Sequence, residues 1–368
     1  MKVLFLTNIP APYRVDFFNE LGKLCELTVL FERRSATDRN KGWISDEAIN
    51  FEPVFLEGIN VGQDGSFCPS ILRWLKKDQF CLFIIGGYST PTGMLAIEYL
   101  RLHRIPFLLN IDGGFIKKDK PILAAIKKHF ISSAAWWLSS GNETNRYLEH
   151  YGAKIDRVFV YPFSSIRAAD LYSDMANESE KTFLRQKLGI TGDRVVISVG
   201  QFIHRKGFDI LIRAWKYIGD NATLLIVGEG TDEVKLLKQI SEDGLTNVQL
   251  IGFKKKKELR EYYRAADLFV LPTREDIWGL VVNEAMACGL PVITTNKCIA
   301  GVELVKDGEN GYIVPVEDES ALFDRISRIL FNDELLRSMG KNSLEKIKPY
   351  TIENMAKMHY DLFIRLTN

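Results

Sequence analysis

Two doubly wound α/β domains in tandem are the fold this sequence predicts, and three observations predict it. Short apolar runs recur along the chain, helical spacing fills most of the gaps between them, and the whole series stops and restarts near the middle. The first series comprises KVLFLT (2–7), LTVLFE (27–32), CLFIIGG (81–87), PFLLNIDGG (106–114), WWLSS (136–140) and RVFVYP (157–162). Near-continuous apolar strands, rather than alternating ones, belong to a parallel sheet covered on both faces. After Pro162 the composition turns to FSSIRAADLYSDMANESEKTF, which has no strand-like run and marks a domain boundary. The second series is RVVISVG (194–200), TLLIVGEG (223–230), NVQLIGF (247–253), LFVLPT (268–273), PVITT (291–295) and NGYIVP (310–315).

The bulk properties agree with that plan. A chain of 368 residues exceeds what one core usually serves, so two domains are expected. An apolar fraction of 46% beside 26% charged residues excludes disordered and fibrous classes. The 48 Lys and Arg against 47 Asp and Glu leave a net charge of +1, so no global field recruits nucleic acid and anion binding must be local. Five scattered cysteines without a C-x-x-C pair suggest neither a disulfide framework nor zinc, and fit a reducing cytoplasm. The five histidines show no paired metal-ligand spacing, so no metal is expected. The first residues read as a strand rather than a secretory signal, and no run approaches the roughly 20 apolar residues of a membrane span. The last segment, TIENMAKMHYDLFIRL (351–366), can place Ile352, Met355, Leu362 and Leu366 on one covered face.

Ligands of open α/β sheets bind outside the carboxyl ends of the strands. Two such domains in tandem can face these edges toward each other across a cleft, which suits a two-substrate site. The stretch PTREDIWGLVVNEAMACGLPVITT (272–295) places Arg274, Glu275 and Asp276 on a loop after a strand, then opens a helix at Gly279. The first N–H groups of a helix have no intrahelical partners and favour an anion such as phosphate, and glycine lets that anion approach. Glu284 lies in the second turn with its Cα–Cβ bond tilted toward the helix start. A carboxylate near a phosphate is tolerated when it accepts bonds from sugar hydroxyls, so Asp276 and Glu284 together suit a nucleoside diphosphate sugar. The structural alternative is an acidic cap at Asp276 and a solvated Glu284.

SVGQFIHRKGFDILIRAW (198–215) is a second constellation, in which a strand, Gly200 and a loop with Arg205 and Lys206 put two cations at the same sheet edge. A departing diphosphate needs such a fixed positive site, though a solvated basic loop has the same composition. Two further basic runs are KKDKPILAAIKKHF (117–130) and KKKKELREYY from Lys254. The first has an apolar face through Ile122, Leu123 and Ile126, and is either a peripheral contact with anionic lipid or a core-packed helix. The second is a solvated loop and helix start.

Taken in order, VGQFIHRKGFDILIRAW, LLIVGEG, NVQLIGF, AADLFVLPT, DIWGLVVNEAMACGLPVITT and NGYIVP resemble the retaining glycosyltransferases of family 4, which have the GT-B fold of two Rossmann-like domains facing across a cleft. The resemblance covers residues 194–315; over 1–165 only the strand layout is similar. It implies an acceptor-binding domain of 1–165 with the C-terminal helix 350–368, and a donor-binding domain of 166–349. It implies a metal-independent, retaining transfer from a UDP- or GDP-linked sugar to a glycan or lipid-linked glycan, in bacterial surface polysaccharide assembly at the cytoplasmic side. The family's two acids, separated by seven residues, fall on Asp276 and Glu284, with aspartate where glutamate is usual and Glu275 able to share the role. The basic pair falls on Lys206 and Arg205, because Gln201 stands where an arginine is typical. Gly200, Gln201, Phe253, Glu275, Gly279, Leu280 and Val281 take the donor-binding positions. Asp112 stands where a histidine lines the sugar site, and NIPAPYR (8–14), with Tyr13 and Arg14, replaces a glycine-rich loop. Arg14 either points into the cleft or lies in a plain strand-to-helix connection.

Other functions share parts of this plan. A nicotinamide-dependent oxidoreductase shares the two-domain plan, but the first strand runs into NIPAPYR and not into G-x-G-x-x-G. A catalytically inactive nucleotide-sugar-binding protein would explain the departures at Gln201, Asp112 and Asp276. A sugar-nucleotide epimerase on the same fold is disfavoured by the retained acidic pair.

Overall fold

Residues 1–35, 48–62 and 65–367 are described by a computed structural model, and the chain divides into two units, Met1–Ser164 with Tyr350–Asn368 and Ser165–Pro349. In the first unit strand β1 (Lys2–Thr7) carries Val3, Leu4, Phe5 and Leu6 fully buried, so the strand is covered on both faces. It pairs in parallel with β2 (Glu26–Phe31), and β2 with β3 (Glu52–Phe55). A small antiparallel hairpin, β4 (Ile59–Val61) with β5 (Gly65–Phe67), stands outside the main sheet. The chain then returns to the other side of β1 with β6 (Leu82–Ile85), followed outward by β7 (Leu108–Ile111), β8 (Trp136–Ser139) and β9 (Val158–Val160). Helices α1 (Pro12–Gly22), α2 (Pro91–Leu102), α3 (Pro121–Ser132) and α4 (Asn142–His150) connect these strands. The first three each begin on a proline, whose fixed φ suits the first helical position and whose missing N–H is an orphan there anyway.

β3 and the hairpin carry no strand signal in the sequence. Pro53 of β3 lies opposite Val29 at the edge of the sheet, the one place where a residue without an N–H does no harm to the ladder. The half-exposed side chains of β3 and the exposed ones of β4 lack the continuous apolar run that revealed the buried strands.

The second unit orders its strands β12-β11-β10-β13-β14-β15, from β10 (Arg194–Val199), β11 (Ala222–Val227), β12 (Val248–Ile251), β13 (Leu268–Leu271), β14 (Val292–Thr295) and β15 (Gly311–Val314). All pair in parallel. α5 (Glu178–Leu188) precedes the sheet, and α6 (Phe208–Trp215), α7 (Glu233–Glu242), α8 (Lys256–Ala265), α9 (Leu280–Ala287) and α10 (Ile299–Leu304) follow the first five strands in turn. α11 (Glu319–Leu330) and α12 (Asp333–Ile347) complete the unit. Because β10 and β13 are neighbours while their connections leave in opposite directions, the crevice at their carboxyl ends is the topological switch point of this sheet. β1 and β6 hold the same position in the first unit.

The last helix, α13 (Ile352–Thr367), belongs to the first unit, where its buried face is Ile352, Met355, Ala356, His359, Leu362 and Phe363, with Leu366 only half-buried. Its face is therefore partly aromatic. The His359 ring lies 4.7 Å from that of Phe17 and 4.6 Å from that of Tyr161. Nδ1–H donates to the Met355 carbonyl at 2.7 Å, and Nε2 is buried without a partner. Burial holds the imidazole down to about 4; Arg14 adds to this, while the Met355 bond and Asp112 oppose it.

A histidine held neutral in the fold protonates freely once unfolded, so its contribution is present above pH 6.5 and is lost as pH falls toward 4. Urea unfolding should show this group costing about 2 kcal/mol of stability between about pH 7 and 5. His359→Phe should remove that part of the slope; an unchanged slope would contradict the neutral, buried imidazole.

Candidate active site

At the switch point of the second unit, two loops are tied together by backbone geometry before any side chain acts. β10 ends at Val199, and the segment through the 3-10 turn His204–Lys206 stops at Gly207, whose φ of +71° opens α6. A Cβ on Gly207 would sit 2.2 Å from the Pro272 carbonyl oxygen, so only glycine lets the two loops meet. They meet through Arg274 N–H, which donates to the Arg205 carbonyl at 2.8 Å, and the Thr273 hydroxyl, which donates to the same oxygen at 2.9 Å. Arg274 locks the contact with a two-pronged bond to Asp209 at 2.8 and 2.7 Å and a third bond to the His204 carbonyl at 2.6 Å.

On this frame Lys206 Nζ donates to Asp276 Oδ2, with both residues buried. Arg205 Nη1 donates to the Glu275 carbonyl at 2.8 Å and reaches Asp276 Oδ1 at 3.5 Å. The backbone of Asp276 is held as well, with its N–H on the Lys297 carbonyl at 2.7 Å and its carbonyl accepting from Ile299 N–H at 3.2 Å. Three residues later Gly279, at φ +98°, is the N-cap of α9, and a Cβ there would stand 2.8 Å from Cys298 Sγ. The first N–H groups of α9, at Leu280 and Val281, thus follow directly on the Lys206–Asp276 pair. An ammonium has three donors, so Lys206 can serve Asp276 and an anion together.

Glu284 occupies a different station on the same helix. Its carboxylate accepts from the Ser165 hydroxyl at 3.0 Å and the Tyr263 hydroxyl at 3.3 Å, and shares no partner with Asp276. Burial raises its pKa, opposed by Lys256 and by those two hydrogen bonds. It borders a small cavity of about 20 Å³, also lined by Asp170, Lys256, Arg260, Tyr263 and Cys288. Lys256 there bridges Asp170 at 2.7 Å and the Ser165 carbonyl at 3.0 Å, so one lysine of the run expected to be merely solvated holds the wall of this cavity. Burial pushes the thiols of Cys288 and Cys298 up to about 12, which leaves neither as a nucleophile near neutral pH.

In the first unit Asp112 follows β7 directly and is already spoken for. It pairs with Arg14, accepts from the Tyr161 hydroxyl at 2.8 Å and from Asn110 Nδ2 at 2.9 Å. Arg14 is only 5% exposed, with its guanidinium 5.6 Å from the Phe163 ring centre and 5.7 Å from that of Tyr13. Arg14, near the start of α1, is the buried counter-charge of Asp112. Half-buried Tyr13 packs edge-on against Phe163 at 5.7 Å.

Residues 180–346 match the sequence profile of the family described as Glycosyl transferases group 1. Over this stretch the chain is similar to the group 1 glycosyltransferases. The chain is 30% identical over 218 residues to the alpha-monoglucosyldiacylglycerol synthase of Acholeplasma laidlawii, covering 58% of this chain and 54% of that protein. It is 26% identical over 369 residues to a D-inositol 3-phosphate glycosyltransferase of Xylanimonas cellulosilytica, covering 98% of this chain and 81% of that one. The chain spans about half the length of several curated relatives that it matches. Among solved structures, HepE of Anabaena in complex with UDP superposes with a TM-score of 0.81 at 19% identity, over 99% of this chain and all of that one. The fold is therefore GT-B.

Within the second unit, the structure gathers Arg205, Lys206, Glu275 and Asp276 into one cluster, with Gly200 and Gln201 at the foot of the same loop. Phe253 is placed elsewhere, after the edge strand β12 and two strands away from the switch point. Sequence spacing pointed to neither Ser165 nor Tyr263, since their bonds to Glu284 span 119 and 21 residues. Arg274 and Asp209 were equally illegible as the clamp of the site.

Gly244 offers an internal control, because its φ of +64° resembles that of Gly207 but nothing stands within 4 Å of its would-be Cβ. Gly244→Ala should cost about 1 kcal/mol by urea unfolding, the price of a left-handed backbone alone. Gly207→Ala should cost at least about 2 kcal/mol, since the Pro272 backbone must also move. Equal costs would show that the two loops do not need their close approach.

Proposed function

We propose that the chain is a retaining glycosyltransferase that moves a sugar from a nucleoside diphosphate sugar to a hydroxyl of a glycan or lipid-linked glycan in surface polysaccharide assembly. The observation that carries this reading is the Lys206–Asp276–Arg205 cluster at the β10/β13 switch point, immediately before the N-terminus of α9. The second unit takes the donor and the first the acceptor. Lys206 and the α9 N–H groups hold the diphosphate, with Arg205 beside them. Asp276 orients Lys206 and accepts from a hydroxyl of the transferred sugar; Glu284 accepts from the ribose. UDP is the first nucleotide to try, supported by the UDP bound to the Anabaena neighbour, with GDP second.

In the chemical step the bond from the anomeric carbon to the diphosphate oxygen breaks as the acceptor oxygen arrives on the same face. The acceptor proton passes to the departing diphosphate oxygen. Lys206, Arg205 and the helix N–H groups stabilise the negative charge that grows there, so the reaction proceeds without a metal ion. Asp112 acts through Arg14 and Tyr161 rather than as a free base, because its oxygens already accept three groups. The names of the Acholeplasma and Xylanimonas relatives, a diacylglycerol glucoside synthase and an inositol phosphate glycosyltransferase, support transfer to a hydroxyl of either a lipid-linked or a polar acceptor.

Thermal shift with UDP-, GDP-, dTDP- and ADP-sugars in the presence of EDTA should identify one stabilising donor, and release of its nucleotide should follow when acceptor is added. Lys206→Ala should lower kcat at least about 100-fold. Glu284→Gln should chiefly raise the donor KM, by about tenfold. Undiminished turnover in Lys206→Ala would overturn the assignment; stabilisation without release from any donor would favour a nucleotide-sugar-binding protein.

A further inference from the structure

Helix α3 is inverted relative to the other helices of its unit. Of its twelve residues only Ile131 is buried, while Ile122 is 77%, Leu123 46% and Ile126 40% exposed. Spaced at i, i+1 and i+4, these three share one face. On the preceding loop Ile116 adds a fourth apolar side chain at 44% exposure. Lysines lead into the group: Lys117, Lys118 and Lys120, just before the helix, are all exposed, while Lys128 lies on the opposite side of α3. Lys127 folds back instead onto Asp119, 2.8 Å away, with Tyr151 at 3.5 Å, which neutralises the local acid inside the cluster. The apolar face of the first two turns is thus turned to solvent, while the helix meets the core through Ile131 and Phe130 at its end.

We propose that this patch docks the protein on an anionic membrane surface, with Ile122, Leu123 and Ile126 entering the headgroup boundary and Lys118 and Lys120 pairing with lipid phosphates. Charge selects the occupant. A two-fold contact between copies of this chain through the patch would bring two sets of lysines together, whereas an anionic leaflet supplies both the counter-charge and an apolar layer. The location gives the docking a use. The loop 112–120 runs from Asp112, at the carboxyl end of β7, straight into α3, so the patch lies at the sheet edge where ligands of such folds bind. A lipid-linked acceptor would reach that edge from the membrane. The acceptor part rests on the transfer proposed above; the docking does not. Among the described residues no helix is long and apolar enough to cross a membrane, so this contact is peripheral.

Co-sedimentation of the full chain with phosphatidylcholine vesicles, with and without about three parts in ten phosphatidylglycerol, tests the docking directly. At low salt the chain should pellet with the anionic vesicles alone and be released as salt rises. Two variants, the triple Ile122→Ser with Leu123→Ser and Ile126→Ser, and the double Lys118→Glu with Lys120→Glu, should each lower the bound fraction at least about tenfold. Because every replaced side chain is exposed, their melting temperatures should match wild type. A wild-type chain that stays in the supernatant overturns the proposal, as do variants that bind undiminished, or a dimer in sedimentation velocity that the apolar triple variant dissolves. Transfer to a soluble glycan acceptor, assayed in parallel, should stay within twofold of wild type in both variants. Loss of vesicle binding with that activity intact leaves the transfer reading standing. Vesicle binding without any transfer sinks that reading and keeps the docking.

Discussion

A buried ammonium without a counter-charge would cost several kcal/mol, and Asp276 is the counter-charge that the fold supplies to Lys206. Much of the local architecture of the second unit follows from bringing these two side chains together across 70 residues of sequence. Gly207 permits the loops to touch, Arg274 clamps them through Asp209, and the segment after β14 pins the Asp276 backbone from the other side. A pair with one shared bond and spare donors is a poor device for stability alone, since apolar residues of similar size would serve at least as well. It is a good device for keeping a cation fixed beside the start of α9.

The first unit solves a comparable problem differently. There Arg14 and Asp112 are brought together from 98 residues apart, but Tyr161 and Asn110 also bond the carboxylate and aromatic rings flank the guanidinium. That network leaves Asp112 committed, whereas Lys206 retains capacity for a ligand. The contrast explains why the two sheet edges differ in chemistry although both sheets place their first and fourth strands side by side. His359, neutral beneath the Arg14 network, links the C-terminal helix to it without adding a charge.

Much of this was legible in the sequence, for reasons that can be named. Strands such as VVISV and LLIV declare themselves because burial on both faces leaves no room for polar residues. The loops with Arg205, Lys206 and Asp276 were found because they follow such strands, and the family resemblance over 194–315 rests on the same order. What stayed hidden was long-range or edge-placed. Pro53 disguises β3, the hydroxyls on Glu284 come from distant segments, and nothing in the spacing of Ile122, Leu123 and Ile126 says which way their helix face turns. A periodic apolar face predicts that something will cover it, not that the cover lies within the chain.

The measurement that tests the central claim most directly is a crystal structure of the protein soaked with the nucleoside diphosphate that stabilises it. The account predicts a diphosphate oxygen at about 2.7–3.2 Å from Lys206 Nζ and from the first N–H groups of α9, with the ribose hydroxyls on Glu284. An ordered nucleotide bound elsewhere, with Lys206 still closed on Asp276 alone, would contradict it.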